Sequence, residues 1–288
     1  MLSVYKKELS VYFKSPTGYA VIGVMLLFAG IFVSAYSFFY YSPTIESSYS
    51  NILFVMLAVV PFLSMRSLAE EKHMKTDILM NSLPIRTRSY VIGKYLAELT
   101  LVAIPVSVTF LYTIVLSFYG NVNFLSALSA TFAFMLCCAA MLAVGLFISS
   151  LFESLALTAT VTFAALFMTY FIPNIVQMTP SGYLASFAVL SVTVLVFAFC
   201  TAYITSSKTA GGISLLSLES ILIAILCFSP STLDGASVTV INFLSLTERF
   251  SSFSDYGIFD LGTVVYYNSV SVFFVFLACR STEWRIRK

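Results

Sequence analysis

Long apolar runs separated by short polar stretches dominate this chain. Eight runs stand out, at about residues 17–39, 49–65, 91–118, 124–150, 155–173, 183–205, 213–229 and 263–280. Crossing a bilayer as a helix takes roughly twenty apolar residues, because inside hydrocarbon the backbone must satisfy its own hydrogen bonds. The second and seventh runs are short and fit a tilted, shallow or re-entrant course. The pattern predicts an all-α polytopic integral membrane protein with eight transmembrane helices, forming one permease-sized domain over residues 1–288. A six-span arrangement, with the runs at 183–205 and 213–229 as an inserted hairpin or partly interfacial pair, is the alternative.

Three polar stretches carry patterns of their own. In residues 1–16, Leu2, Tyr5, Leu9 and Tyr12 recur at helical spacing beside Lys6, Lys7 and Lys14. That predicts a helix lying in the membrane interface, its lysines near anionic headgroups. In the loop 66–90, residues 66–83 contain no Pro or Gly and end at Pro84. Glu71 and Lys75 are placed as an i,i+4 pair and Pro84 is a stop signal, so a short helix held below the membrane is expected. In the stretch 230–262, Phe243, Leu246, Phe250 and Phe253 share one helical face, with Thr247, Glu248 and Arg249 on the other. An amphipathic helix on the outer leaflet follows.

Composition sharpens this picture. Of 288 residues, 59% are hydrophobic and 10% charged, against roughly 25% charged in soluble domains. The placement of charge says more than its total of +2. On the eight-span reading, fourteen of the fifteen Lys and Arg residues fall on one side and only Arg249 on the other. The positive-inside rule then puts both termini in the cytoplasm. The five cysteines, Cys137, Cys138, Cys200, Cys227 and Cys279, all lie in apolar runs without metal-type spacing and read as small buried hydrophobes. The N-terminus is an amphipathic charged stretch, unlike a cleaved signal peptide.

Catalytic chemistry finds no footing. His73, in the loop 66–90, is the one histidine, so there is no zinc helix with two histidines and no His–Ser dyad at membrane depth. Gly93-Lys94 is the one Gly-Lys pair, but Arg88 stands where a phosphate-binding loop needs its first glycine and Tyr95 where it needs Ser or Thr. The chain is therefore read as no enzyme, binding neither metal nor cofactor.

Residues Pro61 to Lys72, then Thr76 to Pro84, then Gly93 to Ala97 form a pattern: two acidic residues followed by a basic one, a Thr-acidic-Leu-Leu helix and a Ser-Pro turn. This pattern resembles the ABC-2-type permease family, and within it the branch of gliding-motility and nitrous-oxide-reductase-maturation permeases. Lys7–Pro16, Val144–Ser154, Arg249–Gly257 and Val265–Ser269 resemble further pieces of the family. Lys75 departs from the pattern, standing where the family usually has Gly, a change that reads as stiffening the loop helix. The resemblance implies a permease of the bacterial cytoplasmic membrane, paired with a second permease copy or homologue and bound to a separate cytoplasmic ATPase dimer that holds ATP and Mg. A helix between the second and third spans would carry the ATPase motion. It implies Arg66, Glu70, Glu71, Lys72, Thr76 and Asp77 at a polar rim there, with Ile78, Leu79 and Leu83 as apolar anchors. An extracytoplasmic subunit and membrane lipid are further partners; nucleic acid is not. An ordinary charged loop that only sets topology is the bland reading of the same residues.

Two acidic residues lie at membrane depth, where a charge is costly and often functional. Glu98 is about one turn inside Lys94 and could simply reach interfacial water. Glu219, in Leu215–Leu222, could line a polar path or bond to neighbouring serines. Gly93 with Ala97 and Gly145 with Ser149 permit close helix approach; Pro61 and Pro105 are kinks or hinges. A secondary transporter without an ATPase and a membrane anchor transmitting mechanical motion are the rival functions.

Overall fold

In lipid, a segment that closes its own backbone hydrogen bonds is the stable one, and helix accounts for nearly all of the described chain. The computed structural model describes residues 1–38, 45–76, 87–118, 120–178, 187–188, 190–191, 194–195, 215–217, 219–220, 245–255 and 260–286. The chain divides into two units, Met1–Tyr170 with Leu246–Lys288, and Phe171–Ser245. The second unit contains Glu219, half-buried on a helical segment, and most of the two runs at 183–205 and 213–229, which lie largely outside the described residues.

Among the described residues six helices are long and apolar enough to cross a membrane: Pro16–Ser37, Glu46–His73, Thr87–Leu116, Phe124–Leu151, Leu155–Ile172 and Leu261–Arg285. Each coincides with one of the predicted runs. The second and fourth are the central pair, with 72% and 67% of their apolar windows buried, against 17% for Leu155–Ile172. The peripheral helices present Leu27, Ile31, Leu111, Leu157 and Phe276 outward, as lipid-facing surfaces do.

The first unit is built from α1 (Leu2–Lys14), α2 (Pro16–Val33), α3 (Glu46–Ser64), α4 (Glu70–His73), α5 (Thr87–Leu116), α6 (Phe124–Leu151), the first part of α7 (Leu155–Met178), α8 (Glu248–Asp255) and α9 (Leu261–Ile286). Helix α6 packs on α9, α3 and α5, and α1 packs along α5. Small residues allow the close approaches. At Gly145 of α6 an added Cβ would lie 3.0 Å from Ser64 Cβ and 3.1 Å from Val60 Cγ1, so the predicted Gly145 spacing serves the contact with the second span. Ser15, extended, separates α1 from α2, and Pro16 opens α2 where its missing N–H is harmless. Gly18 then sits under α1, where a Cβ would fall 2.3 Å from the Tyr12 carbonyl oxygen.

Helix ends are closed locally. Asn123 Oδ1 accepts from the N–H groups of Leu125 and Ser126 at 3.2 and 3.4 Å, starting α6. Asp260 starts α9, accepting from Gly262 N at 2.9 Å and Thr263 N at 3.2 Å, and from Thr263 Oγ1 at 2.6 Å. The Thr263 hydroxyl and the Gly262 N–H hold the Asp260 carboxyl below its ordinary range of about 3.8.

Three predicted elements differ from expectation. The helix of residues 66–83 is not a separate piece below the membrane. Instead α3 runs through a π turn, Met65–Ala69, straight into α4, which ends at His73; residues 77–83 of the expected helix lie outside the described residues. Lys75 explains the stop: its φ of 56 is left-handed, a conformation that glycine adopts freely, so the residue at the family's glycine position ends the helix rather than stiffening it. The Thr76 N–H closes the turn onto the Glu71 carbonyl at 2.9 Å.

The stretch beyond Ile241 also differs. Its helix covers Glu248–Asp255 alone among the described residues, and Leu246, Phe250 and Phe253 are buried in the protein core rather than laid on a leaflet. Phe250 meets Phe134 edge-on at 6.1 Å, and Tyr267 Oη donates to the Leu246 carbonyl at 2.5 Å. Phe243 lies outside the described residues. A helix covers Leu2–Lys14, and Val4, Glu8 and Tyr12 are its buried positions, while Leu2 is exposed.

Candidate functional site

The charged residues of three elements converge where α1, α4 and α5 meet. Helix α5 brings Lys94, α1 brings Glu8 and Lys7, and the helical extension of the second span brings Glu71. Lys94 is buried; its Nζ lies 3.0 Å from Glu71 Oε1 and 3.2 Å from Glu8 Oε2 and donates to the Ser67 carbonyl at 3.0 Å. Lys7 closes the ring from outside, 3.2 Å from Glu8 Oε1 and 3.5 Å from Glu71 Oε1. Burial works against the Lys7 ammonium, but Glu8 and Glu71 outweigh it and raise Lys7 above the ordinary 10.5. Tyr90 donates its hydroxyl to Glu71 Oε2, and its ring lies 5.4 Å from Lys94 Nζ. Close packing permits this: at Gly93 a Cβ would come within 3.1 Å of the Val4 side chain.

A second set of contacts fastens the same segment to α6. Ser149 Oγ accepts from the backbone N–H groups of Leu68 and Ala69, at 3.0 and 2.9 Å, inside the π turn where the regular ladder is broken. Lys72 is buried and donates to the carbonyls of Ser149 and Ser150, at 3.0 and 2.5 Å. A cation on the last carbonyls of a helix meets the negative end of its dipole. Ser281 Oγ of α9 donates to Ser150 O at 3.3 Å, Arg285 pairs with Glu153, and Arg88 pairs with Glu283 at 3.4 Å. The ends of the second, third, fourth and last spans are thus laced together at one level.

These contacts change the expected rim. Glu71 turns inward to Lys94 rather than toward Lys75, and Lys72 is buried against α6, so neither lies on an open surface. Arg66 is half-buried, donating to Thr17 Oγ1 of α2 at 3.3 Å with its guanidinium 5.9 Å from the Phe62 ring. Glu70 is also half-buried, whereas His73, Met74, Lys75 and Thr76 are exposed. Asp77, Ile78, Leu79 and Leu83 lie outside the described residues. Glu98 is fully buried one turn along α5 from Lys94, and neither carboxyl oxygen has a hydrogen-bond partner. Glu219 belongs to the other unit and is not brought to this cluster by any described contact. Glu8 went unremarked in the sequence; the signal that could have revealed it is the Val4–Glu8–Tyr12 spacing, one face of a short helix.

The predicted kinks sit at the core of this arrangement. Four residues after Pro61 comes the π turn, and Ser64 Oγ donates to the Pro61 carbonyl at 3.0 Å and to Thr162 Oγ1 at 3.2 Å. In α5, Thr109 Oγ1 donates to the Pro105 carbonyl at 2.8 Å. A groove of about 860 Å³ opens between α5 and α6 toward their other ends, lined by Phe110, Leu125, Phe132 and Met135 with Ser107 and Ser129 and by no charged side chain. Among the described residues no group of three or more His, Cys, Asp or Glu side chains could hold a metal ion.

A comparison with curated proteins finds no match. The pattern of the ABC-2 family transporter protein, by contrast, matches residues 2–247, a stretch that contains α1, the first five of the six candidate spans and the whole laced segment between the second and third. This chain belongs to the ABC-2 transporter family.

Proposed function

We propose that this chain is the membrane-spanning permease subunit of an ATP-driven exporter, receiving motion from a separate cytoplasmic ATPase through the segment after its second span. Family membership supports a transmembrane permease of several spans, a class that in general works with an ATP-binding subunit. The observation that carries the coupling reading is the continuation of the second span, as helix, past its π turn. From Glu46 to His73 the helix continues through the π turn and ends in an exposed tip, with Met74 67% exposed. A displacement delivered at His73–Thr76 moves the most buried helix of the unit directly.

In this reading Glu70, Thr76 and the adjoining Asp77, Ile78, Leu79 and Leu83 meet the ATPase, with Met74 as a further apolar contact. Glu71 and Lys72 transmit rather than dock, since their partners are Lys94 and the end of α6. Arg66 passes the motion to the first span through Thr17. ATP and Mg sit in the partner, and the chain works as a dimer with a second permease, its termini in the cytoplasm of a bacterium. The gliding-motility and nitrous-oxide-reductase-maturation branch remains our assignment from the loop pattern. The test is recovery of the tagged chain from gently solubilised native membranes. We expect a Walker-motif ATPase to accompany it, and Met74→Glu to lose that ATPase while still inserting. A chain recovered alone in several detergents overturns the proposal in favour of a secondary transporter.

A further inference from the structure

Below the ring of ion pairs the structure holds a polar site that nothing in the coupling reading uses. Glu98 lies on α5 four residues beyond Lys94, about 6 Å further into the bundle by helix rise. It is 1% exposed, and both carboxyl oxygens lack a hydrogen-bond partner. Ser67, beside it on the π turn, is 1% exposed and its hydroxyl is likewise without a partner. Three buried polar oxygens on two neighbouring helices thus lie together at one place. Other groups face them. From α1 come Glu8 and Tyr12, and from α5 itself Lys94 and Tyr95; on the second span Arg66 and Glu70 face Tyr12, and Glu71 faces Lys94.

Charge counting then limits what Glu98 can be. Lys94 and Lys7 are both engaged by Glu8 and Glu71, two cations to two carboxylates, and Arg66 is turned to Thr17, so none of these three cations pairs with Glu98. An ionised carboxylate buried with neither a hydrogen bond nor an ion pair is among the costliest arrangements in a protein, and such a group takes up a proton instead. The Ser67 hydroxyl can donate to the carboxyl in either state, and a carboxylic acid adds an O–H that can be given in return. We infer that Glu98 is a proton-binding site, holding one proton at neutral pH in the cleft between α5 and the π turn of the second span. Because Ser67 belongs to the turn whose backbone is fastened by Ser149, movement of that turn opens the site to water and releases the proton. The site then links the position of the second span to proton uptake, whether or not an ATPase drives it.

Infrared difference spectroscopy of the purified full chain, titrated between pH 6 and pH 11, reads this directly. The expected result is a protonated-carboxyl stretch present at pH 7, titrating away in alkali, missing in Glu98→Gln and shifted in Ser67→Ala, which keeps the carboxyl but changes its neighbour. Absence of the band in the parent chain, its persistence in Glu98→Gln, or an unmoved band in Ser67→Ala overturns the assignment. A parallel melt in sodium chloride against choline chloride covers the rival occupant. Saturable stabilisation by sodium that Glu98→Gln abolishes would make the site one for sodium and also overturn it.

Discussion

Lys94 shows how much rests on single side chains. It is 3% exposed in its side chain and serves two carboxylates and a carbonyl at once. Replacing it with Met strands Glu8 and Glu71 without their shared cation. Removing one partner of a buried pair costs about 3–5 kcal/mol, so Lys94→Met should lower the thermal midpoint in detergent far more than Lys6→Met, which removes an exposed charge. Ser149→Ala leaves the Leu68 and Ala69 N–H groups buried and unsatisfied, a loss of about 1–3 kcal/mol that a chemical-denaturation or melting curve would register. The sequence displayed Lys94 and Glu71 in the right region but not their meeting. Residues 86 apart, Glu8 and Lys94 come together through the packing of α1 on α5, and no local spacing encodes that. For the same reason Lys72 read as a surface charge, when its partners are the terminal carbonyls of another helix.

At the scale of elements, the runs of apolar residues located six helices to within a few residues, because burial in lipid demands length and hydrophobicity and little else. What lay between them was harder to read. The loop after the second span carried no proline or glycine before Pro84, so nothing in it announced a break at residue 75; the stop after His73 is a backbone conformation at Lys75 that the residue type disguises. A left-handed φ costs a bulky L-residue about 1–2 kcal/mol. Lys75→Val should therefore destabilise the turn and Lys75→Gly should not, as hydrogen exchange of the Thr76 amide would show. Of the predicted face, Phe250 and Phe253 lie on the helix Glu248–Asp255 and Leu246 in the turn before it; membrane and protein core look alike to such residues, and here the core took them. Asp260 at the start of α9 makes a further element-scale prediction. Its Asp260→Ala variant loses a cap of about 1 kcal/mol. The carboxyl is held below its ordinary range by the Thr263 hydroxyl and the Gly262 N–H, so its contribution is present above about pH 4 and fades as pH falls through the folded value. In Asp260→Ala that part of the acid dependence disappears from the melting profile.

Taken whole, the molecule is a helical permease whose first unit is fastened at one end by ion pairs and serine-capped backbone, and filled at the other by aromatic packing around Phe134. Such an asymmetry suits a body that is pushed at one end. Gly18 tests whether α1 belongs to that body: a Cβ there collides with the Tyr12 carbonyl, so Gly18→Ala should detach α1 from the bundle and expose the Lys94 cluster, detectable as protease cleavage within the first fifteen residues. The family and the helical class were both legible from the sequence; the interlocking of the second span with α6 was not, because it depends on contacts between residues about eighty apart. The measurement that bears most directly on the central claim is site-specific photo-crosslinking from position 75 in native membranes. The account predicts a crosslink to a nucleotide-binding subunit whose yield changes when ATP hydrolysis is blocked with vanadate. A tip that reacts with lipid and water alone, in a chain otherwise inserted and folded, would contradict it.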